Sequence, residues 1–105
     1  MIINYIYVVV NIILTGCVIM DDEALKKYAY VSISSYRAKA VKSLHNEVKM
    51  PTEIAEDTGI RKNHISKVLR ELKDSGIAEC INEDAKRGRL YRLTSVGEDI
   101  ADFMD

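Results

Sequence analysis

Five polar side chains in the stretch "PTEIAEDTGIRKNHISKVLR", Pro51 to Arg70, carry the donor and acceptor groups that base edges and phosphates require: Asn63, His64, Ser66, Lys67 and Arg70. An amide pairs bidentately with adenine and a guanidinium with guanine, and ammonium and hydroxyl groups serve phosphate oxygens as well. Their spacing is helical. At about 100° per residue, Asn63, Lys67 and Arg70 fall at the centre of one side, with Ser66 and His64 flanking them. Ile65, Val68, Leu69 and Leu72, at i, i+3, i+4 and i+7, form the opposite, apolar side. Arg61 and Lys62 stand at the start of the same helix, where a duplex backbone would pass. Lys86, Arg87 and Arg89 crowd a later polar turn, "DAKRGR", from which they can reach a phosphate or the neighbouring minor groove. The chemistry on offer is recognition of a polyanion.

Composition agrees with recognition more than with catalysis. A chain of 105 residues, 48% apolar and 30% charged, is one modest globular domain. The net charge of -1 hides an asymmetry. Residues 61–92 hold nine basic and five acidic side chains, whereas residues 93–105 hold four acidic ones and no basic one. Cys17 and Cys80 make no disulfide framework, and no His, Cys and Asp spacing suits a metal. His45 and His64 have no nucleophile in a plausible motif, and no glycine-rich phosphate loop is present. The expectation is therefore no enzyme, no cofactor and no metal.

The elements that must position these side chains follow from periodicity and punctuation. Asp21-Asp22-Glu23 ahead of Leu25, Tyr28 and Ala29 predicts a short amphipathic helix with acids at its positive end. Tyr30 to Ile33 reads as extended. Ser34 or Ser35 then caps a helix reaching about Leu44, with Tyr36, Ala40, Val41 and Leu44 facing inward. After a link from His45 to Met50, Pro51 opens a helix that buries Ile54 and Ala55 and ends at Gly59 in a left-handed conformation. The next helix runs from about Lys62 to Ser75 and stops at Gly76. "IAECINE" and "LYRLT" flank the polar turn as a β-hairpin over residues 77–94, with Cys80 as a small buried residue and Tyr91 in the core. Ser95 and Glu98 match a capping box for a last helix, in which Val96, Ile100, Phe103 and Met104 share one side.

Two helices joined by a tight turn, with Ala55 where they touch, Gly59 in the turn, and Ile65 and Val68 holding the second helix down, resemble a helix-turn-helix. Extended outward through "SYRAKAVKSL", "ISKVLRELKDSGIAE" and "KRGRLYRLTSVGE", the chain from Ser32 to Glu98 resembles the winged helix-turn-helix regulators of bacteria and archaea, of the broad MarR-like and ArsR-like kind. The resemblance implies a mainly α fold with a small β-hairpin, in which a three-helix core carries the wing and a short C-terminal helix. It further implies double-stranded DNA as the partner, the helix 62–75 in the major groove, the hairpin alongside as a wing, and a homodimer. It places Tyr36 and Arg37 near the phosphate backbone, although Tyr36 equally fits the core. Two departures stand out. Met50 and Arg61 occupy places where the family often has Ser or Thr, so both helix starts lack a capping oxygen, a loss of about 1 kcal/mol each. The last helix is too short to build the long dimerisation helices of MarR-like proteins alone.

Fold does not dictate function, so a winged helix used for protein or RNA contacts is a rival. Such a module should present apolar or acidic residues on the helix face that here presents Asn63, Ser66, Lys67 and Arg70. A second rival is a membrane-tethered regulator, because residues 1–20 carry no charged side chain and match a bilayer span in length. Lys26 and Lys27 would favour a cytoplasmic C-terminal side. Leu14-Thr15-Gly16-Cys17 looks like a lipobox, but a signal peptide needs a basic start and this stretch has none, so the match reads as chance. The leading expectation is that the genuine start is Met20 and that the preceding residues are upstream sequence; an anchor and an added strand or helix are the alternatives. The domain proper is then 21–105, working in the cytoplasm.

Overall fold

The computed structural model describes residues 21–104, and the expectations for residues 1–20 lie outside these described residues. The described residues form five helices: α1 (Asp22–Ser32), α2 (Ser35–Ser43), α3 (Pro51–Thr58), α4 (Lys62–Asp74) and α5 (Ser95–Met104). Between α4 and α5 lies a hairpin of β1 (Ala78–Cys80) and β2 (Tyr91–Leu93). The expected mainly α fold with a small hairpin is the fold observed.

Helix α1 starts where the acids predict, with Asp21 Oδ1 accepting the Ala24 amide at 2.8 Å. It runs further than its sequence suggests. Tyr30-Val31-Ser32 is helical, not extended, because Val31 continues the apolar row of Ala24, Leu25 and Tyr28 and is completely buried. Ser32 Oγ also donates to the Tyr28 carbonyl at 2.8 Å, a bond that fits inside a helical turn. Burial here outweighs the extended preference of a β-branched residue.

Ser34 caps α2, its hydroxyl oxygen accepting the Arg37 amide at 3.3 Å. Ala40, Val41 and Leu44 are buried as expected, but Tyr36 is 41% exposed. The inward row of α2 is Arg37, Ala40, Val41 and Leu44, and Tyr36 stands about 100° off it. In the link, Lys49 makes an antiparallel bridge with Tyr91, with N–H to O distances of 3.0 and 2.9 Å in the two directions. This single pair adds a third strand position beside Tyr91, at the end of the ladder next to the hairpin loop.

Pro51 opens α3. Met50 offers no side-chain oxygen, but Glu53 Oε1 accepts the Met50 amide at 3.0 Å, which supplies one half of a reciprocal cap. Gly59 ends the helix at φ +74°, a left-handed conformation that L side chains rarely adopt, and its amide donates to the Ala55 carbonyl at 2.9 Å. The chain then reverses into α4, whose Ile65, Val68, Leu69 and Leu72 are all buried. They join Val31, Val41, Leu44, Ile54, Ile77 and Ile100 in one apolar core, and among the described residues no charged or polar side chain is buried with them.

In the hairpin Ala78 pairs with Leu93, Glu79 with Arg92 and Cys80 with Tyr91. Ala78 and Leu93 face the core; Cys80 is half-buried, not enclosed, since it belongs to the outermost pair. The predicted capping box of Ser95 and Glu98 does not form. Thr94 caps α5 instead, its Oγ1 accepting the Gly97 amide at 3.3 Å and donating to the Gly76 carbonyl at 2.7 Å. The Glu98 carboxylate turns to the link, accepting the Asn46 amide at 3.0 and 3.2 Å. Ile100 and Ala101 are buried, and Phe103 meets Tyr28 of α1 edge to face at 5.4 Å.

Candidate nucleic-acid interface

Burial of one side of α4 determines what the other side offers. Asn63, Ser66, Lys67 and Arg70 are exposed and form one row along the helix, with Arg61 and Lys62 exposed at its start. Among the described residues, none of these six side chains takes part in a hydrogen bond or ion pair. The row is a continuous set of unengaged donors along one helix, and exposed Lys39, Lys42, Lys86 and Arg87 are likewise without a hydrogen bond or ion pair among the described residues. His64 flanks it, as expected, and its ring lies 5.5 Å from that of Tyr36, tilted by 59°. Tyr36 therefore borders the start of α4 from α2.

Arg37, read from the sequence as a phosphate contact, is engaged inside the fold. Its Nη1 donates to the Tyr30 carbonyl at 2.7 Å, and its Nε is 3.6 Å from Glu71 Oε1, an ion pair too long for a hydrogen bond. The side chain is only 15% exposed.

At the hairpin, Lys86 and Arg87 are exposed at the loop tip with no partner among the described residues, whereas Arg89 Nε donates to the Ala85 carbonyl at 2.9 Å while remaining exposed. Lys73, in the last turn of α4, pairs with Glu83 of the loop. That hydrogen bond, reinforced by the opposite charges, holds the Lys73 ammonium above its ordinary 10.5 and the Glu83 carboxyl below its ordinary 4.5. It also ties the hairpin loop to the end of α4.

Several residues that shape this surface were not singled out in the sequence. Lys39 and Lys42 are exposed on α2 and, with Ser43, Asp57 and Thr58, line an open hollow of about 370 Å³. Lysines spaced i, i+3 off the apolar row were the available signal. Lys49 ties the link to α2 by a hydrogen bond to the Ser43 carbonyl at 2.7 Å and to α3 by one to Asp57, and it pairs with Glu47 at 2.7 Å. Asn82 spans the base of the hairpin loop. No group of three or more His, Cys, Asp or Glu side chains gathers as metal ligands would among the described residues. In the same residues no helix is long and apolar enough to cross a membrane.

No protein-family model matches the chain, and no curated protein matches it significantly. Solved structures do. A double mutant of ZitR from Lactococcus lactis superposes with a TM-score of 0.60 at 19% identity, covering 68% of this chain and 49% of that one. This chain thus spans about half the length of ZitR. TubR of Bacillus thuringiensis serovar israelensis pBtoxis, in a structure bound to 24 bp of tubC, superposes with a TM-score of 0.67 at 13% identity, covering 83% of this chain and 96% of that one. Likeness at such identities establishes the fold, a winged helix-turn-helix, with α3 and α4 as its helix-turn-helix and the β1–β2 hairpin as its wing.

Proposed function

We propose that this chain is a transcriptional regulator, of the broad MarR-like or ArsR-like kind, that binds double-stranded DNA sequence-specifically. In this reading α4 enters the major groove, where Asn63, Ser66, Lys67 and Arg70 read base edges with His64 at the side. Arg61 and Lys62 meet the backbone, and Lys86, Arg87 and Arg89 follow it from the wing. Arg37 contributes through the fold that holds α4. The observation that carries the proposal is the row of unengaged polar and cationic side chains on the exposed side of α4. A protein-docking helix would present apolar or acidic groups there. The likeness to TubR, whose structure includes DNA, supports the same partner.

The functional unit is a homodimer in this proposal, setting two copies of α4 in successive major grooves about 10 bp apart. The protein works in the cytoplasm, where its DNA is. Fluorescence anisotropy with genomic fragments over a range of salt concentrations tests the proposal. Specific binding that weakens steeply with salt, at a stoichiometry of two chains per site, is the expected result. Absence of salt-dependent binding to any duplex overturns it.

A further inference from the structure

The hairpin loop, residues 81–90, joins two strands of three residues each. A hairpin loop of minimal length takes its shape from its turn type, but a loop this long has no such rule and needs a side chain to determine where its tip stands. The Lys73–Glu83 pair ties this loop to α4, and one residue, Asn82, closes the loop on itself. Asn82 Oδ1 accepts the Leu90 amide at 2.7 Å, while its Nδ2 donates to the Gly88 carbonyl at 3.1 Å. Its own backbone carbonyl accepts the Ala85 amide at 2.9 Å. Below it, the Ile81 amide donates to the Leu90 carbonyl at 2.9 Å, the last rung before the loop opens. Cys80 Sγ lies 3.6 Å from the same Asn82 Oδ1.

We propose that Asn82 is the positioning residue of the wing, its amide closing the loop so that Lys86 and Arg87 are held at a tip where they meet duplex phosphates. The DNA contact rests on the function proposed above; the clamp does not. The argument for an amide is chemical. Leu90 needs an acceptor and Gly88 needs a donor, and a single planar amide provides both. An ionised carboxylate accepts but cannot donate, and an alanine does neither. Arg89, whose Nε reaches back to the Ala85 carbonyl, stiffens the same loop from its other limb. Lys86 and Arg87, between these two ties, have no partner among the described residues, so their charge is presented outward.

The test uses the full chain with Asn82→Ala, Asn82→Asp, the K86A/R87A variant and the combination of Asn82→Ala with K86A/R87A. Amide hydrogen exchange read by NMR reports the clamp directly. Leu90 should exchange faster in Asn82→Ala while Leu69 and Leu72 in α4 keep their protection; unchanged exchange at Leu90 would overturn the clamp. Asn82→Asp should retain the protection of Leu90 yet weaken DNA binding, because the Gly88 tie is lost and negative charge is added.

Anisotropy titration reports the positioning. Asn82→Ala should weaken binding to all duplexes alike by roughly tenfold, as the loss of about two hydrogen bonds allows. It should lower the salt slope by about 0.9 for each phosphate contact that depends on the tip. The combined variant should bind no more weakly than K86A/R87A, since the amide acts through those two side chains. Fully additive losses would overturn the positioning role. A wild-type chain that binds no duplex would overturn the DNA-binding function and the role of the tip, with exchange at Leu90 still deciding the clamp.

Discussion

Arg37 lies with its guanidinium carbon 3.8 Å from the ring centre of Tyr30 and donates to the Tyr30 carbonyl, so that a side chain from α2 fastens the end of α1. Through Glu71 the same group reaches α4. Arg37→Ala should therefore lower the free energy of unfolding by about 2 kcal/mol, combining a charge-assisted hydrogen bond with a cation–π contact. Arg37→Lys should restore only part of this, since an ammonium lacks the planar fork that serves the carbonyl and the ring together. Urea denaturation with an unchanged m-value checks both. Wild-type stability in Arg37→Ala would show that the contact contributes nothing net.

Stability at the two ends of the pH scale should respond to Lys49 and Asp57. Hydrogen bonds from Lys49 and Ser43 hold the Asp57 carboxyl below its ordinary 3.8. A depressed carboxyl contributes stability above its unfolded value and loses it as pH falls through the folded one. Partial burial is the largest single influence on Lys49 and pulls its value down, but the hydrogen bonds and negative charges of Asp57 and Glu47 together outweigh it and hold the ammonium above 10.5. That contribution is fully present below the unfolded value and is lost as pH rises through the folded one. Asp57→Asn should flatten the acid limb of a stability profile below about pH 4 and lessen the alkaline loss above about pH 10. Chemical denaturation at stepped pH measures both limbs, and an acid limb identical to wild type would reject the assignment to Asp57.

Base reading and backbone binding should separate when single cations are removed. Arg70 is at the centre of the exposed row of α4, so Arg70→Ala should cost about 1–3 kcal/mol on the preferred duplex and relax selectivity at one base position. Arg87 is at the wing tip, so Arg87→Ala should weaken every duplex alike and lower the salt slope by about 0.9. Competition titrations with duplexes altered one base pair at a time distinguish the two. Uniform weakening by both variants would remove Arg70 from base reading.

Local signals explain which parts of this fold can be read from sequence. Pro51, Gly59 and the row Ile65, Val68, Leu69 and Leu72 each act within a turn or two of chain, so α3, the turn and α4 are legible, and the polar row opposite the apolar one is legible with them. Features made by partners far along the chain are not. Val31 is helical because of what it packs against, although its immediate neighbours read as extended. The bridge between Lys49 and Tyr91 is one residue pair and has no periodicity to detect. Thr94 caps α5 one residue ahead of the Ser95 and Glu98 pattern because its hydroxyl is also held by the Gly76 carbonyl, a contact across the hairpin. Arg37 carries the charge of a phosphate contact, and only the placement of Tyr30 and Glu71 turns it inward.

Close approach at Gly97 yields the last prediction. This residue is in the first turns of α5, beside the end of β2, and it is buried. A Cβ built there would stand 2.1 Å from the Ile77 carbonyl oxygen and 3.0 Å from Leu93 Cβ. The first neighbour is backbone, and that carbonyl already accepts the Thr94 amide at 3.0 Å, so it cannot turn aside without breaking the joint between hairpin and helix. Helix propensity alone would favour alanine over glycine by about 1 kcal/mol. The clash should reverse that sign, because small-to-large changes in packed sites cost about 1–3 kcal/mol and here a hydrogen bond is at stake as well. Gly97→Ala should therefore lower the melting temperature by about 4–8 °C or more for a domain of this size. Thermal unfolding followed by circular dichroism measures it, and a variant that melts at or above the wild-type temperature would show that α5 can move off the hairpin without loss.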